Sequence, residues 1–108
     1  MTEAAEAGLF CYVWRYRVRP ERREEFRDAY GPDGDWVRLF RRDPGHVRTT
    51  LLADHDDPNR FVTIDLWTSR EAFAAFRRLW AEEFEAIDRR CAELTAEESL
   101  LGDFAVVG

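Results

Sequence analysis

One carboxylate stands out among the residues able to do chemistry. Asp65 sits inside Val62-Thr63-Ile64-Asp65-Leu66-Trp67, an otherwise mostly apolar run. A carboxylate there must be paired, hydrogen-bonded or protonated to be tolerated. Two readings are open. In the first, Arg48 and Asp65 form a buried salt bridge that sets strand register and does nothing else. In the second, Asp65 accepts a proton from a phenol or enol, and Arg48 stabilises the oxyanion that results. His46 is the other acid–base candidate, although its place just after Pro44-Gly45 also suits a strand-end residue touching solvent. His55 lies among Asp54, Asp56 and Asp57, a solvated turn without the ligand spacing of a zinc or calcium site, so no metal is expected. A Gly-rich phosphate loop, a Ser–His–Asp order and a cysteine-nucleophile context are all missing.

These residues need elements to position them. Leu9 to Val18 alternates as a strand, with Tyr12, Trp14 and Tyr16 on one face and Cys11, Val13 and Arg15 on the other. Pro20 opens a helix with apolar positions at Phe26, Ala29 and Tyr30. Gly31-Pro32-Asp33-Gly34 ends it, and Asp33 or Asp35 is placed to cap a short segment holding Trp36, Val37, Leu39 and Phe40. After the Asp43-Pro44-Gly45 turn, His46 to Ala53 and Arg60 to Trp67 read as two strands joined by a polar loop, hence a hairpin. A symmetric hairpin about that loop puts Arg48 opposite Asp65 and His46 opposite Trp67; a slip of one residue sends such pairs to the wrong face.

Thr68-Ser69-Arg70-Glu71 has the form of a capping box. Beyond it Phe73, Phe76, Trp80, Phe84, Ile87, Cys91 and Leu94 recur at helical spacing, with a bend expected near Leu79. A second capping box is expected at Thr95–Glu98, and Gly102 before a last short strand from Asp103 to Val107. The order strand, helix, strand, strand, helix, strand is an α+β, ferredoxin-like βαββαβ antiparallel sheet with its helices on one face. The other face carries Cys11, Val13, Val62, Ile64 and Leu66, too apolar to leave in water. A homodimer through that face buries it.

Composition narrows the function. The 108 residues suit one domain, taken as 9–108 after a frayed, acidic and Ala-rich start over 1–8. The net charge of −6 argues against nucleic acid as a partner. All sixteen basic residues are Arg, which we read as a GC-rich coding bias. Apolar runs fall short of the roughly 20 residues of a membrane span, and the start is unlike a secretory leader, so a cytoplasmic location is expected. Cys11 and Cys91 are expected to be structural thiols.

Val18-Arg19-Pro20, Asp43-Pro44-Gly45 and Asp65-Leu66-Trp67-Thr68-Ser69-Arg70-Glu71-Ala72-Phe73 resemble the antibiotic biosynthesis monooxygenase family. The resemblance runs from about Phe10 to Val107. It implies a dimeric α/β barrel with a cavity between sheet and helices. Members that oxidise polyketide phenols without metal or flavin place an Asn and a Trp four apart on the third strand, a Tyr six beyond the Trp, and a His late on the second strand. Trp67 matches the Trp, so the resemblance implies that it contacts substrate. Thr63, Phe73 and Leu52 stand at the other three positions. The haem-degrading branch uses a His on the second long helix, and this chain has none after His55, so haem degradation is not expected.

With the family's cavity, strand parity supplies Tyr12, Trp14, Tyr16, His46, Arg48, Thr50, Leu52, Phe61, Thr63 and Asp65 to its wall, with Phe73 and Phe76 from the helix. An apolar pocket with a few convergent polar groups suits a planar aromatic ligand. The expected function is cofactor-independent oxidation or proton transfer on an aromatic or enolic, polyketide-like substrate. The alternative is a non-catalytic ligand-binding or structural homodimer in which Arg48 and Asp65 only pair with each other.

Overall fold

A computed structural model describes residues 6–107. Strand β1 (Phe10–Val18) is followed by a 3-10 turn at Pro20–Arg22, then helices α1 (Arg23–Tyr30) and α2 (Asp35–Phe40). Strands β2 (His46–Ala53) and β3 (Arg60–Trp67) lead into helices α3 (Arg70–Leu79) and α4 (Ala81–Cys91) and the last strand, β4 (Thr95–Ala105). The sheet order is β2-β3-β1-β4, antiparallel throughout and open.

Pairing of β1 with β3 settles the faces. Tyr12 lies opposite Asp65, Trp14 opposite Thr63 and Tyr16 opposite Phe61, so these side chains share the face under the helices. The core forms between that face and the helices: Phe26, Phe76 and Trp67 are fully buried, joined by Tyr30, Phe40, Phe73 and Ile87. The expected bend falls where Trp80 leaves helical geometry, between α3 and α4. Without that break the apolar stripe would overrun the short sheet beneath it.

The hairpin departs from the symmetric register. His46 does pair with Trp67, but a bulge at Val47 then moves every later partner by one: Arg48 faces Leu66, Thr49 faces Asp65 and Leu51 faces Thr63. Arg48, Thr50 and Leu52 therefore stand on the sheet face away from the helices, and Arg48 pairs with Glu6 instead of Asp65. Gly45 anchors the register at this end. Its carbonyl accepts from the Thr68 N–H at 2.8 Å, and a Cβ on it would lie 2.9 Å from the Ala72 Cβ.

Four smaller expectations change. Gly34 occupies the α2 N-cap position, with Asp35 inside the helix, so neither aspartate caps it. Ser69, rather than Thr68, caps α3, accepting from the Ala72 N–H at 3.0 Å. Strand β4 begins at Thr95, with Gly102 inside it at a register shift and φ of 154°; Glu97, Glu98 and Ser99 disguise it in sequence because an edge strand needs little apolar content. Within the expected frayed start, residues 1–5 lie outside the described residues. Gly8, however, is tied down, its N–H donating to the Val106 carbonyl at 2.8 Å.

The register makes a direct prediction. Arg48 is exposed and bound to an N-terminal carboxylate, so Arg48→Ala leaves the melting temperature nearly unchanged, whereas a buried partner of Asp65 would cost several degrees on removal. Thermal denaturation at neutral pH checks it.

Candidate functional site

Between the sheet and the helices lies a cavity of about 250 Å³. Its sheet wall is Tyr12, Trp14 and Tyr16 from β1, Thr49 from β2, and Thr63 and Asp65 from β3. Helices close it with Tyr30, Trp36, Phe40, Phe73 and Phe84. Arg77, Asp88 and Glu98 also line it and are exposed, which marks where it meets solvent. Partial desolvation of its carboxyl at the cavity rim, together with the nearby Asp88 charge, raises Glu98 above its ordinary range. The volume sits just below the roughly 300–1,000 Å³ of drug-sized pockets, so it suits a small ligand.

Asp65 is the polar centre of this cavity. It is 7% exposed, and burial pushes its carboxyl from 3.8 up to about 7. The Thr49 hydroxyl donates to its Oδ1 at 2.7 Å and pulls in the opposite direction. No basic side chain bonds it among the described residues. On β1 and β3, Tyr16 and Thr63 hydroxyls lie 2.9 Å apart, either able to donate to the other, and burial holds the Tyr16 phenol well above its usual range, so it keeps its proton.

His46 stands at the start of β2, half-buried, its ring 5.4 Å from Phe40 and 5.2 Å from Trp67. Burial is the main cause, and Arg41 the second, of a pKa lowered from 6.5 to about 4. Its Nε2 is 2.9 Å from the Thr49 Oγ1.

Several expected site residues therefore meet here: Asp65, Tyr12, Trp14, Tyr16, Thr63 and Phe73 all line the cavity. Others do not. Arg48 and Thr50 are on the opposite face because of the bulge. Trp67, Phe61 and Phe76 have at most 1% exposure and are core. Trp67 is packed among Phe40, Phe73 and Phe76 with its Nε1 unpartnered, behind the wall rather than in it. His46 does not line the cavity; it reaches the wall through its hydrogen bond to Thr49 and its ring contact with Phe40. Thr49 itself escaped the sequence reading; the signal for it is Asp65, which demands a polar partner, but only the bulged register says which one.

The class of protein is therefore an α+β domain in which helices roof an antiparallel ferredoxin-like sheet over an aromatic cavity that holds the buried Asp65 carboxyl. The model of the antibiotic biosynthesis monooxygenase family matches residues 9–90, and the chain belongs to that family. Among solved structures, a variant of SnoaB, a cofactor-independent oxygenase from Streptomyces nogalater, is 28% identical, with a TM-score of 0.73 over 92% of this chain and 93% of that one. A candidate antibiotic biosynthesis monooxygenase from Caulobacter crescentus CB15 shares the fold at 15% identity, with a TM-score of 0.77 over 95% of this chain and 93% of that one. Deoxynogalonate monooxygenase of Streptomyces nogalater is 50% identical over 35 residues, 32% of this chain and 30% of that protein. A Natronomonas pharaonis protein named as a candidate haem-binding protein is 32% identical over 76 residues; the match spans 70% of this chain but only 12% of that protein.

Asp65 and His46 leave opposite marks on stability. A carboxyl raised to about 7 contributes stability that is present below 3.8 and lost as pH rises through 7. A histidine lowered to about 4 contributes stability that is present above 6.5 and lost as pH falls toward 4. The ionised Asp65 costs roughly 4 kcal/mol at 1.36 kcal/mol per pH unit of displacement. The melting temperature of Asp65→Asn relative to wild type is therefore expected to rise by several degrees between pH ~5 and pH ~8. A variant that melts early by the same margin at both pH values would mean that Asp65 has a stabilising cation.

Proposed function

We propose that this chain is a cofactor-independent oxygenase acting on a small planar phenol or enol, polyketide-like in its fused aromatic character, within the cavity between sheet and helices. Asp65 carries the reading: a buried carboxyl with a hydroxyl as its partner and a pKa of about 7, facing aromatic walls. Such a group is poised for general-base work at neutral pH. It takes a proton from a substrate hydroxyl or an activated CH2 group. The resulting anion is electron-rich enough to pass electrons to dioxygen, the co-reactant. A CH2 group and O2 then become a C=O group and water, which balances with no external reductant.

The Tyr16 and Thr63 hydroxyls replace Arg48 as the groups that hold the anion. Tyr12, Trp14 and Phe73 stack against the flat substrate. The similarity to SnoaB, described as a cofactor-independent oxygenase, supports the reaction class. A haem fits the wall poorly, since neither His46 nor His55 lines it.

Proteins of this family typically form homodimers, and the sheet face away from the helices is the proposed interface, with the part-exposed Cys11, Val62 and Ile64 at its centre; Val13 and Leu66, expected there too, are already buried within the single chain. Leu52 and Phe104, on the same face, are 44% and 50% exposed and extend the apolar area. Ile64→Arg places a charge in the middle of that patch and is expected to convert dimer to monomer in light scattering. A monomeric wild type, or a variant that stays dimeric, would refute this interface.

The catalytic reading is tested with a thermal-shift screen of phenols, anthrones and quinones, followed by oxygen-uptake assays. A ligand at 100 times its Kd adds about 2.7 kcal/mol, an unmistakable shift for a domain this size. Oxygen uptake is expected to rise with pH through about 7 as Asp65 ionises, and to be lost in Asp65→Asn. Ligand shifts without oxygen uptake, or no shift at all, would favour the non-catalytic homodimer.

A further inference from the structure

Asp65, Thr49 and His46 form a continuous hydrogen-bonded line. Thr49 Oγ1 lies 2.7 Å from Asp65 Oδ1 and 2.9 Å from His46 Nε2. One end is buried in the cavity, and the other is a half-buried ring at the start of β2. The line exists only because of the bulge. Residues three apart in a regular strand point to opposite faces, yet the extra residue at Val47 brings His46 and Thr49 to the same side of β2. Bulges that re-aim side chains in this way are common beside active sites.

We propose that Thr49 is a proton-relay residue that connects Asp65 to His46 and gives the Asp65 proton a route to solvent at the start of β2, separate from the cavity mouth at Arg77, Asp88 and Glu98. The proposal rests on the reading of Asp65 as the base. A substrate proton held on Asp65 passes to the Thr49 Oγ1, the hydroxyl proton of Thr49 passes to His46 Nε2, and the Nδ1 proton of His46 passes to water. One proton leaves the cavity, and every relay group ends neutral apart from the carboxylate, which is restored as base.

Hydrogen-bond polarity gives the relay a signature. A hydroxyl has one proton to donate. When Asp65 is ionised, Thr49 must donate to it, and His46 must then present Nε2–H to the Thr49 oxygen. When Asp65 is protonated it donates to Thr49, whose own proton turns to His46, and the ring becomes the Nδ1–H tautomer. Other charges act only through space: Arg41 and Asp43 on His46, and Arg77, Asp88 and Glu98 around the cavity, with Tyr16 of β1 on the face of Asp65 and Cys11 on the opposite one. None of them forces a tautomer exchange.

The test uses the full chain without ligand. Nitrogen-15 shifts of the His46 ring and the carbon-13 shift of the Asp65 carboxyl are followed from about pH 4 to 9. Wild type and Thr49→Ser are expected to show the His46 tautomer exchange at the Asp65 midpoint. Thr49→Val, or Thr49→Ala should the valine variant not fold, is expected to lose the exchange while the Asp65 midpoint moves upward. A single His46 tautomer across the range in wild type, or an exchange that persists without the Thr49 hydroxyl, overturns the relay. Because no substrate is involved, a failed relay is distinguishable from a failed oxygenase, which the oxygen-uptake assay reads.

Discussion

A carboxyl buried among aromatic rings with a hydroxyl, not a cation, as its partner is the constraint on which the site depends. Had Arg48 reached Asp65, the pair would have neutralised itself and left a structural ion pair in a packed core. The Thr49 hydroxyl satisfies the carboxyl geometrically but only partly offsets its burial, so the proton affinity rises to the neutral range. The chemistry proposed for the cavity rests on that imbalance.

The imbalance in turn depends on one residue of backbone. The bulge at Val47 exchanges the two faces of β2. It sends Arg48 to meet Glu6 on the far side of the sheet, and it brings Thr49 to Asp65 and within reach of His46. Gly45, pressed against Ala72, keeps His46 opposite Trp67 while the rest of the strand moves. Position within the sheet, rather than residue type, decides which of two neighbouring polar side chains joins the site.

The aromatic residues divide along the same lines. Trp67, Phe61 and Phe76 form the packed floor beneath the cavity, and Tyr12, Trp14, Tyr16 and Phe73 form its wall. Trp67 is the family position that the chain keeps, yet here its indole is enclosed by three phenylalanine rings. The family's Asn, Tyr and His are replaced by Thr63, Phe73 and Leu52, and the proposed chemistry runs through Asp65 instead.

Much of this was legible in the sequence. Period-two alternation placed β1 and β3 and assigned their faces correctly, because a strand buried on one side must alternate. The Phe73-to-Leu94 stripe marked the long helical segment, and an aspartate between Ile64 and Leu66 marked the strand that lines the cavity. The partner of Asp65, the early start of β4 and the enclosure of Trp67 were decided only by tertiary structure. A bulge at a β-branched Val leaves no local signal, since Val47 suits a regular strand as well as a bulged one. An edge strand such as β4 takes its hydrogen bonds from its neighbour β1 and needs no apolar pattern of its own. Local pattern determined which faces are apolar and which residue is anomalous; the register between strands, set by long-range pairing, decided what that residue touches.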